Sequence, residues 1–153
     1  LQSVGSLTKG RFTKESDNFS LAIHIFRLLM NNADPFGAKV VGIQIHSQTA
    51  FDVNRSVING ECVYVRDIPG KMIPKWSPTM DILPDDIQKL FKRSFFYTSS
   101  TIEDNIKNRP TAKEWMNALL RFYQMPLKQC ASHPFHWYLP KFSECPFCHL
   151  EPI

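Results

Sequence analysis

Hydrophobic residues fill most of the stretch SDNFSLAIHIFRLLMN, residues 16–31, near the start of the chain. Its interior polar residues, Ser20, His24 and Arg27, lie at i, i+4 and i+7 and therefore share one narrow stripe of a helix. A helix that is apolar around the rest of its circumference is buried on several sides. We predict a central core helix here, capped by Ser16 or Asp17. Little sequence precedes it, so part of its packing shell is expected on residues outside this chain.

The second half of the chain predicts two further helices. The first begins at Pro84 and carries its apolar residues on one face: Leu83, Ile87, Leu90, Phe91 and Phe95. The second opens with a capping box formed by Thr111 and Glu114 and ends near Gln124. Its predicted apolar face comprises Ala112, Trp115, Met116, Leu119, Leu120 and Tyr123. The polar segment 97–108 between the two helices predicts a loop.

The middle of the chain, residues 38–84, gives weaker signals. In chain order it predicts a short strand at 40–45, a helix within 50–59 ended by Gly60, an extended piece at 62–65 and a proline-rich loop at 69–84. Cys62 is far in sequence from the other cysteines, which favours a buried, small apolar role.

Composition places the chain among globular domains. The 153 residues are 43% hydrophobic and 21% charged, with a net charge of +4. This mildly basic balance permits a nucleic-acid or acidic partner without requiring one. The chain begins at Leu1 without a signal-peptide pattern, which indicates an excised or processed piece of a cytoplasmic protein that does not contact a membrane.

Cysteine and histidine cluster near the end of the chain. The array Cys130-x5-His136-x8-Cys145-x2-Cys148 offers three sulfurs and one imidazole, a donor set that suits tetrahedral zinc. All four ligands are protein side chains and leave no open position. The array therefore predicts a structural zinc knuckle that stabilises a tail too poor in apolar residues to hold itself.

Other interpretations of this array remain. His133 is the alternative fourth ligand, and His149 is a weaker one because it crowds Cys148. A redox C-x2-C pair would be surrounded by a thioredoxin-like βαβ pattern, which the sequence lacks. A disulfide requires an oxidising compartment, and no secretory signal points to one.

Four motifs in order resemble the lower half of the C-terminal lobe of a Ser/Thr protein kinase. They are residues 16–22 (SDNFSLA), similar to the start of the central F helix, residues 34–36 (DPF), residues 83–95, similar to the H helix, and residues 108–115 (NRPTAKEW), similar to the turn that opens the last helix. Each motif is weak alone, but together they cover residues 1–122. The resemblance implies a mainly α fold with a long irregular middle section and a small zinc-knuckle tail.

The tail narrows the resemblance to bacterial kinase-like proteins in which the lobe runs directly into a C…H…CPxC knuckle, some of them joined to DNA-binding segments. It implies a partial kinase lobe at 1–126 and the knuckle at 127–153. The parent would transfer phosphate from ATP to protein hydroxyls, with Mg²⁺, or would be a pseudokinase. Its partners would be the missing N-terminal part of the kinase domain, a protein substrate and, through another domain, DNA.

The departures from the kinase pattern are large. The sequence has no Gly-rich loop, strand lysine, H-R-D or D-F-G motif, so the chain alone is expected to be inactive. The resemblance implies structural roles for two residues. Asp17 would hold the backbone of the catalytic loop, and Arg109 would pair with the glutamate of the A-P-E motif, both outside these residues.

A second class of function remains open. The knuckle could bind nucleic acid or protein without catalysis, because Lys128, Lys141, Trp137 and Tyr138 supply charge and stacking surfaces beside it. Two glutamates in the tail dilute this charge.

Overall fold

The computed structural model describes residues 13–40, 53–97 and 101–150. Within them the fold is mainly helical, which confirms the predicted class. The helices are α1 (Lys14–Leu29), α2 (Val53–Ile58), α3 (Asp85–Phe95), α4 (Ile102–Lys107) and α5 (Ala112–Tyr123), with a 3₁₀ turn at Met80–Ile82. The strands are β1 (Lys39–Val40), β2 (Lys71–Met72), β3 (Lys128–Gln129) and β4 (Trp137–Tyr138). In these ranges no helix has both the length and the apolar character needed to cross a membrane.

The helix α1 begins earlier than predicted. Its cap is Thr13 rather than Ser16 or Asp17, and Thr13 and Ser16 form a reciprocal box in which each side chain accepts the other's backbone N–H. At the other end, Asn31 and Asn32 have positive φ values of 53° and 60°. Asparagine tolerates this left-handed conformation better than most residues, so the pair ends the helix and turns the chain.

Among the described residues, α1 is buried on one face, and its opposite face is left open, where the prediction places packing by residues outside this chain. Its buried side chains are Ala22, Ile25 and Phe26, which share one face, while Leu28 is 84% exposed. The sequence correctly predicts an apolar helix, but apolar positions alone do not say which sides a neighbour covers.

Aromatic rings form the centre of the core. The Phe26 ring lies 4.9 Å from the ring of Tyr64 and 5.1 Å from that of Phe91, both in edge-to-face contacts. The Phe91 ring in turn lies 4.8 Å from Trp115. These contacts join α1, α3 and α5. All five residues of the predicted apolar face are buried, four of them in α3 and Leu83 just before it.

The helix α5 begins at its predicted capping box, but four of the six residues of its predicted apolar face, including Ala112, are exposed. Trp115 and Ala118 are buried, whereas Met116 is 53%, Leu120 51% and Tyr123 88% exposed. The helix packs on α3 along the narrower face that contains Trp115. The apolar side chains on the neighbouring side of the helix, including Met116 and Leu120, remain in solvent.

The middle section mixes correct and wrong predictions. Gly60 ends α2 with a φ of 61°, and the N–H groups of residues 60 and 61 donate to the carbonyls of Val57 and Ser56, as a glycine cap requires. Cys62 is fully buried as predicted, and burial raises the pKa of its thiol to about 12. The extended piece predicted at 62–65 is wrong, because these residues form a turn in which Val65 N–H donates to Cys62 C=O.

Two short elements complete the fold. β1 pairs antiparallel with β2, so the strand prediction is confirmed at its first residue, and residues 41–45 lie outside the described ranges. The proline-rich stretch 69–84 is a loop interrupted by β2 and the 3₁₀ turn. The predicted loop at 97–108 contains α4, whose cap Thr101 accepts the backbone N–H of Asp104. A helix of six residues is too short to give a periodic signal.

Candidate metal centre

A two-stranded hairpin brings two of the predicted ligands together. β3 pairs antiparallel with β4, and the backbone N–H of Cys130 donates to the carbonyl of His136 at 3.0 Å. His136 N–H donates to His133 C=O at 3.1 Å, which closes the turn between the strands. Cys130 and His136 therefore face each other across the end of the hairpin.

The other two predicted ligands lie on a tight turn. Cys148 N–H donates to the carbonyl of Cys145 at 3.3 Å, and Leu150 N–H donates to Phe147 C=O in the next turn. Cys145 is buried and Cys148 is exposed. The C-x2-C spacing thus places two sulfurs on the same side of one turn.

The four donor atoms form a compact group. The Sγ atoms of Cys130 and Cys148 are 3.5 Å apart, and His136 Nδ1 lies 3.6 Å from the sulfur of Cys145 and 3.8 Å from that of Cys148. All four atoms lie within 4.8 Å of one another. A tetrahedron with Zn–S bonds of about 2.3 Å and a Zn–N bond of about 2.0 Å has edges of roughly 3.5 to 3.8 Å. The arrangement therefore fits a tetrahedral metal site with three sulfurs and one nitrogen.

The thiols of this cluster do not ionise independently of one another. The hydrogen bond with Cys130 is the main cause that raises the pKa of Cys148 to about 12, followed by desolvation and the sulfur of Cys145. A second thiolate beside the first is costly because like charges repel. A divalent cation among the sulfurs offsets that repulsion and favours the thiolates.

The alternative histidines lie outside this group. His133 is exposed, and its ring packs against that of His136 at 4.8 Å between centroids. His149 Nε2 lies 3.4 Å from a carboxylate oxygen of Glu144 on the exposed surface. Of the three histidines considered, the structure brings His136 to the sulfurs.

Apolar side chains fasten the tail to the helical part. Phe142 and Phe147 pack against the main core, and Leu139 is buried. The Phe147 ring lies 5.4 Å from the ring of His136, so this contact reaches from the core to a predicted ligand. The tail thus rests on the helices through a few side chains on either side of the cysteine turn.

Arg109, singled out by the kinase resemblance, lies far from the cluster in a different setting. Its Nη1 donates to the carbonyl of Glu15 at 3.1 Å, and its guanidinium lies 4.4 Å from the Phe19 ring. Among the described residues its buried Nε has no hydrogen-bond partner, and desolvation lowers the pKa of the guanidinium. Asp17 is exposed in the first turn of α1.

A second charged feature was not predicted as a site. Lys89, Lys92 and Arg93 lie close together on α3, and cations suit the negative end of a helix. Arg66 and Lys92 both place their cations over the ring of Phe96, at 5.3 and 5.7 Å from its centroid. The available sequence signal was the close spacing of three cations before Phe96, but Arg66 joins them only through the fold.

Comparison with known proteins finds two curated proteins similar to nearly the whole chain. No protein-family model and no solved structure matches the chain. It is similar to proteins described as a protein kinase. These are protein kinase YegI of Escherichia coli strain K12 and its counterpart in E. coli O157:H7, each 29% identical over 153 residues and 99% of this chain. That match covers 22% of each relative, so the chain spans about a fifth of the length of the curated relatives it matches.

Proposed function

We propose that this chain is the substrate-side helical part of a Ser/Thr protein-kinase-like lobe that ends in a structural zinc knuckle. The observation that carries the proposal is the similarity to protein kinase YegI, which extends over nearly the whole chain, including the tail. The order of the kinase-like motifs along the sequence supports it. In the parent, an ATP- and Mg²⁺-binding part would supply phosphate for protein hydroxyls, unless the parent is a pseudokinase.

The environment of Arg109 supports this assignment. A guanidinium with a buried Nε that lacks a partner within the described ranges is costly, and a carboxylate is its most favourable acceptor. In the proposed lobe, this carboxylate is the glutamate of the A-P-E motif. Asp17, exposed at the start of α1, would in the same way accept backbone N–H groups of the catalytic loop.

The outer face of α1 supports the same assembly. His24 and Leu28 are exposed one turn apart, although the sequence around them is strongly apolar. An apolar side chain that is 84% exposed on a helix of this composition is suited to a packing partner. The rest of the lobe would cover this face.

We propose zinc as the metal and a structural role for it. A tetrahedral S₃N set favours zinc among the common divalent ions, and four protein ligands leave no position for water or substrate. Zinc would hold the β3–β4 hairpin against the Cys145–Cys148 turn. It would take no part in phosphate transfer.

A chimera tests the kinase assignment. The segment of E. coli YegI that matches this chain is replaced by residues 1–153, and transfer of labelled phosphate from Mg-ATP is measured for the chimera and for YegI. We expect the chimera to fold and to retain the activity of YegI. Arg109→Ala in the chimera should reduce both activity and thermal stability, whereas Lys113→Ala on the exposed side of α5 should change neither. An unfolded chimera, or an Arg109→Ala variant equal to its parent, would count against the assignment.

A second candidate function is that the knuckle binds nucleic acid or protein without catalysis, and one observation favours it. Phe135 is 92% and Trp137 51% exposed on the knuckle, where large apolar side chains mark contact surfaces. Lys128 Nζ instead donates to the Phe142 carbonyl, and Lys141 lies over the Phe142 ring, so both ammonium groups already have a partner within the tail. A gel shift with single-stranded DNA at two salt concentrations separates the candidates, since nucleic-acid binding weakens steeply with salt.

A further inference from the structure

We propose that the groove along the outer side of α3 binds an acidic peptide segment in an extended conformation. The proposal concerns a surface apart from the metal centre and does not depend on the kinase assignment. It rests on the shape of the groove, on two lysines without ion-pair partners, and on an aromatic ring that positions one of these lysines together with Arg66.

The groove consists of two adjoining hollows. One, of about 290 Å³, lies beside Tyr64, Met80 and the first turn of α3, and the other, of about 310 Å³, lies between the end of α3 and the α4 region. Lys89 and Lys92 line both hollows. The eleven residues of α3 span about 16 Å, which is the length of roughly five residues of extended chain.

Two cations of the groove, Lys89 and Lys92, have no ion-pair partner among the described residues. Within the described ranges, no carboxylate lies within ion-pair distance of Lys89 or Lys92, and both are exposed. Arg93, one residue further on, is paired with Glu114 at 2.7 Å. Like charges three residues apart on a helix destabilise it slightly, so an incoming carboxylate would relieve a repulsion as well as form new pairs.

The ring of Phe96 positions two cations at the groove. The cations of Arg66 and Lys92 both lie over this ring, although they come from the turn after Cys62 and from α3. Cation–π attraction holds such groups in place and reduces the entropy lost when they bind an anion. The second hollow, which Phe96 and Lys92 both line, thus combines an apolar ring with a cation.

These features favour an acidic peptide over nucleic acid. A regular phosphate backbone needs cations along its whole track, and the first hollow contains the carboxylate of Asp85. Base stacking needs an open aromatic face, but Tyr64 is buried and Phe96 already carries two cations. An acidic peptide fits this arrangement better, because its carboxylates can pair with Lys89 and Lys92 without an open aromatic face.

Fluorescence anisotropy of a labelled hexaglutamate peptide with the full zinc-loaded chain tests the proposal. We expect saturable binding that weakens with added salt, and no binding of hexaglutamine. Lys89→Glu/Lys92→Glu should weaken binding by about tenfold or more, which is the combined effect of two ordinary exposed charge pairs. If circular dichroism shows that this variant is unfolded, Lys89→Gln/Lys92→Gln replaces it, with a smaller loss expected.

The matched control is Lys14→Glu/Lys113→Glu. It makes the same change in net charge at two exposed lysines in the first turns of α1 and α5, where acidic residues are favourable. The control should bind hexaglutamate within about twofold of the unmodified chain, since net charge alone acts weakly at this distance. Equal losses in both pairs, unchanged binding in the groove pair, or tighter binding of an oligothymidylate that the groove pair abolishes would each overturn the proposal.

Discussion

At the scale of single residues, Glu114 connects two helices through one carboxylate. Its Oε2 accepts the backbone N–H of Thr111 at 2.8 Å, and its Oε1 lies 2.7 Å from Nη1 of Arg93 on α3. The backbone hydrogen bond first, and the guanidinium second, lower the pKa of Glu114 to about 2. One side chain thus completes the cap of α5 and fixes the contact between α5 and α3.

Glu114→Gln should therefore make stability less dependent on pH. A carboxyl whose folded pKa lies below its ordinary value of 4.5 stabilises the fold above about that pH, and this contribution is lost as pH falls towards 2. At pH 7 we expect a loss of about 1 kcal/mol, a typical capping contribution, because solvent screens this half-exposed ion pair.

Urea unfolding of the unmodified chain and the variant at several pH values checks this expectation. The difference in unfolding free energy should shrink between pH 4.5 and 2. Glu103→Gln, at an exposed position in the first turn of α4, should cost less than about 0.5 kcal/mol at every pH. A constant difference for Glu114→Gln would contradict the assigned role.

Neighbouring positions on α1 should respond in opposite ways to substitution. Phe26 is fully buried among three aromatic rings, so Phe26→Asp removes them from contact with its ring and buries a charge, at a cost above about 4 kcal/mol. Ile25→Asp should act similarly. Arg27→Ala removes only a surface pair with Asp34, worth less than about 1 kcal/mol. Thermal melts of the three variants measure these losses of stability. A cooperative melt for Phe26→Asp would contradict the placement of that ring.

At the scale of elements, a strong periodicity of hydrophobic residues predicted helices correctly, whereas a weak pattern led to wrong predictions of secondary structure. The start of α5 followed from local chemistry, because its capping box involves residues three apart. Its apolar face did not, because Met116 and Leu120 are as apolar as Trp115, and only the packing against α3 selects one side. The turn at 62–65 has the β-branched and aromatic residues of a strand, but burial of Cys62 and Tyr64 in the core overrides that preference.

The knuckle is the element whose stability should depend on a metal. We expect one zinc per chain, lost in Cys148→Ser and in His136→Ala, because each removes one of four donor atoms within 4.8 Å. Without metal, residues after Pro126 should loosen while α1 remains folded. Elemental analysis and amide hydrogen exchange measure the two effects.

His133→Ala is the matched control for the metal prediction. Its ring contacts His136 but lies outside the donor group, so the variant should retain zinc. If His136→Ala retained zinc and His133→Ala lost it, the fourth ligand would be His133. If the unmodified chain contained no metal, the prediction of a metal site would be wrong.

At the scale of the whole molecule, sequence predicted what depends on spacing and missed what depends on distant contacts. The four Cys and His donors were identifiable because three of the four lie within thirteen residues and their types suit zinc. The setting of Arg109 was not, since it involves the carbonyl of Glu15, 94 residues away. The meeting of Arg66 with Lys92 at Phe96 likewise exists only after folding.

The chain by itself should neither bind ATP nor transfer phosphate. Phosphoryl transfer needs groups that hold the nucleotide phosphates, ligands for Mg²⁺ and a residue that orients the acceptor hydroxyl. The sequence contains no Gly-rich loop, strand lysine, H-R-D or D-F-G motif to supply them. We therefore expect no heat of binding when Mg-ATP is titrated into the chain in a calorimeter. E. coli YegI, described as a protein kinase, is the comparison protein under the same conditions. Saturable binding of Mg-ATP to the chain, lost on competition with ADP, would contradict this prediction. It would show that these 153 residues bind a nucleotide without the kinase motifs.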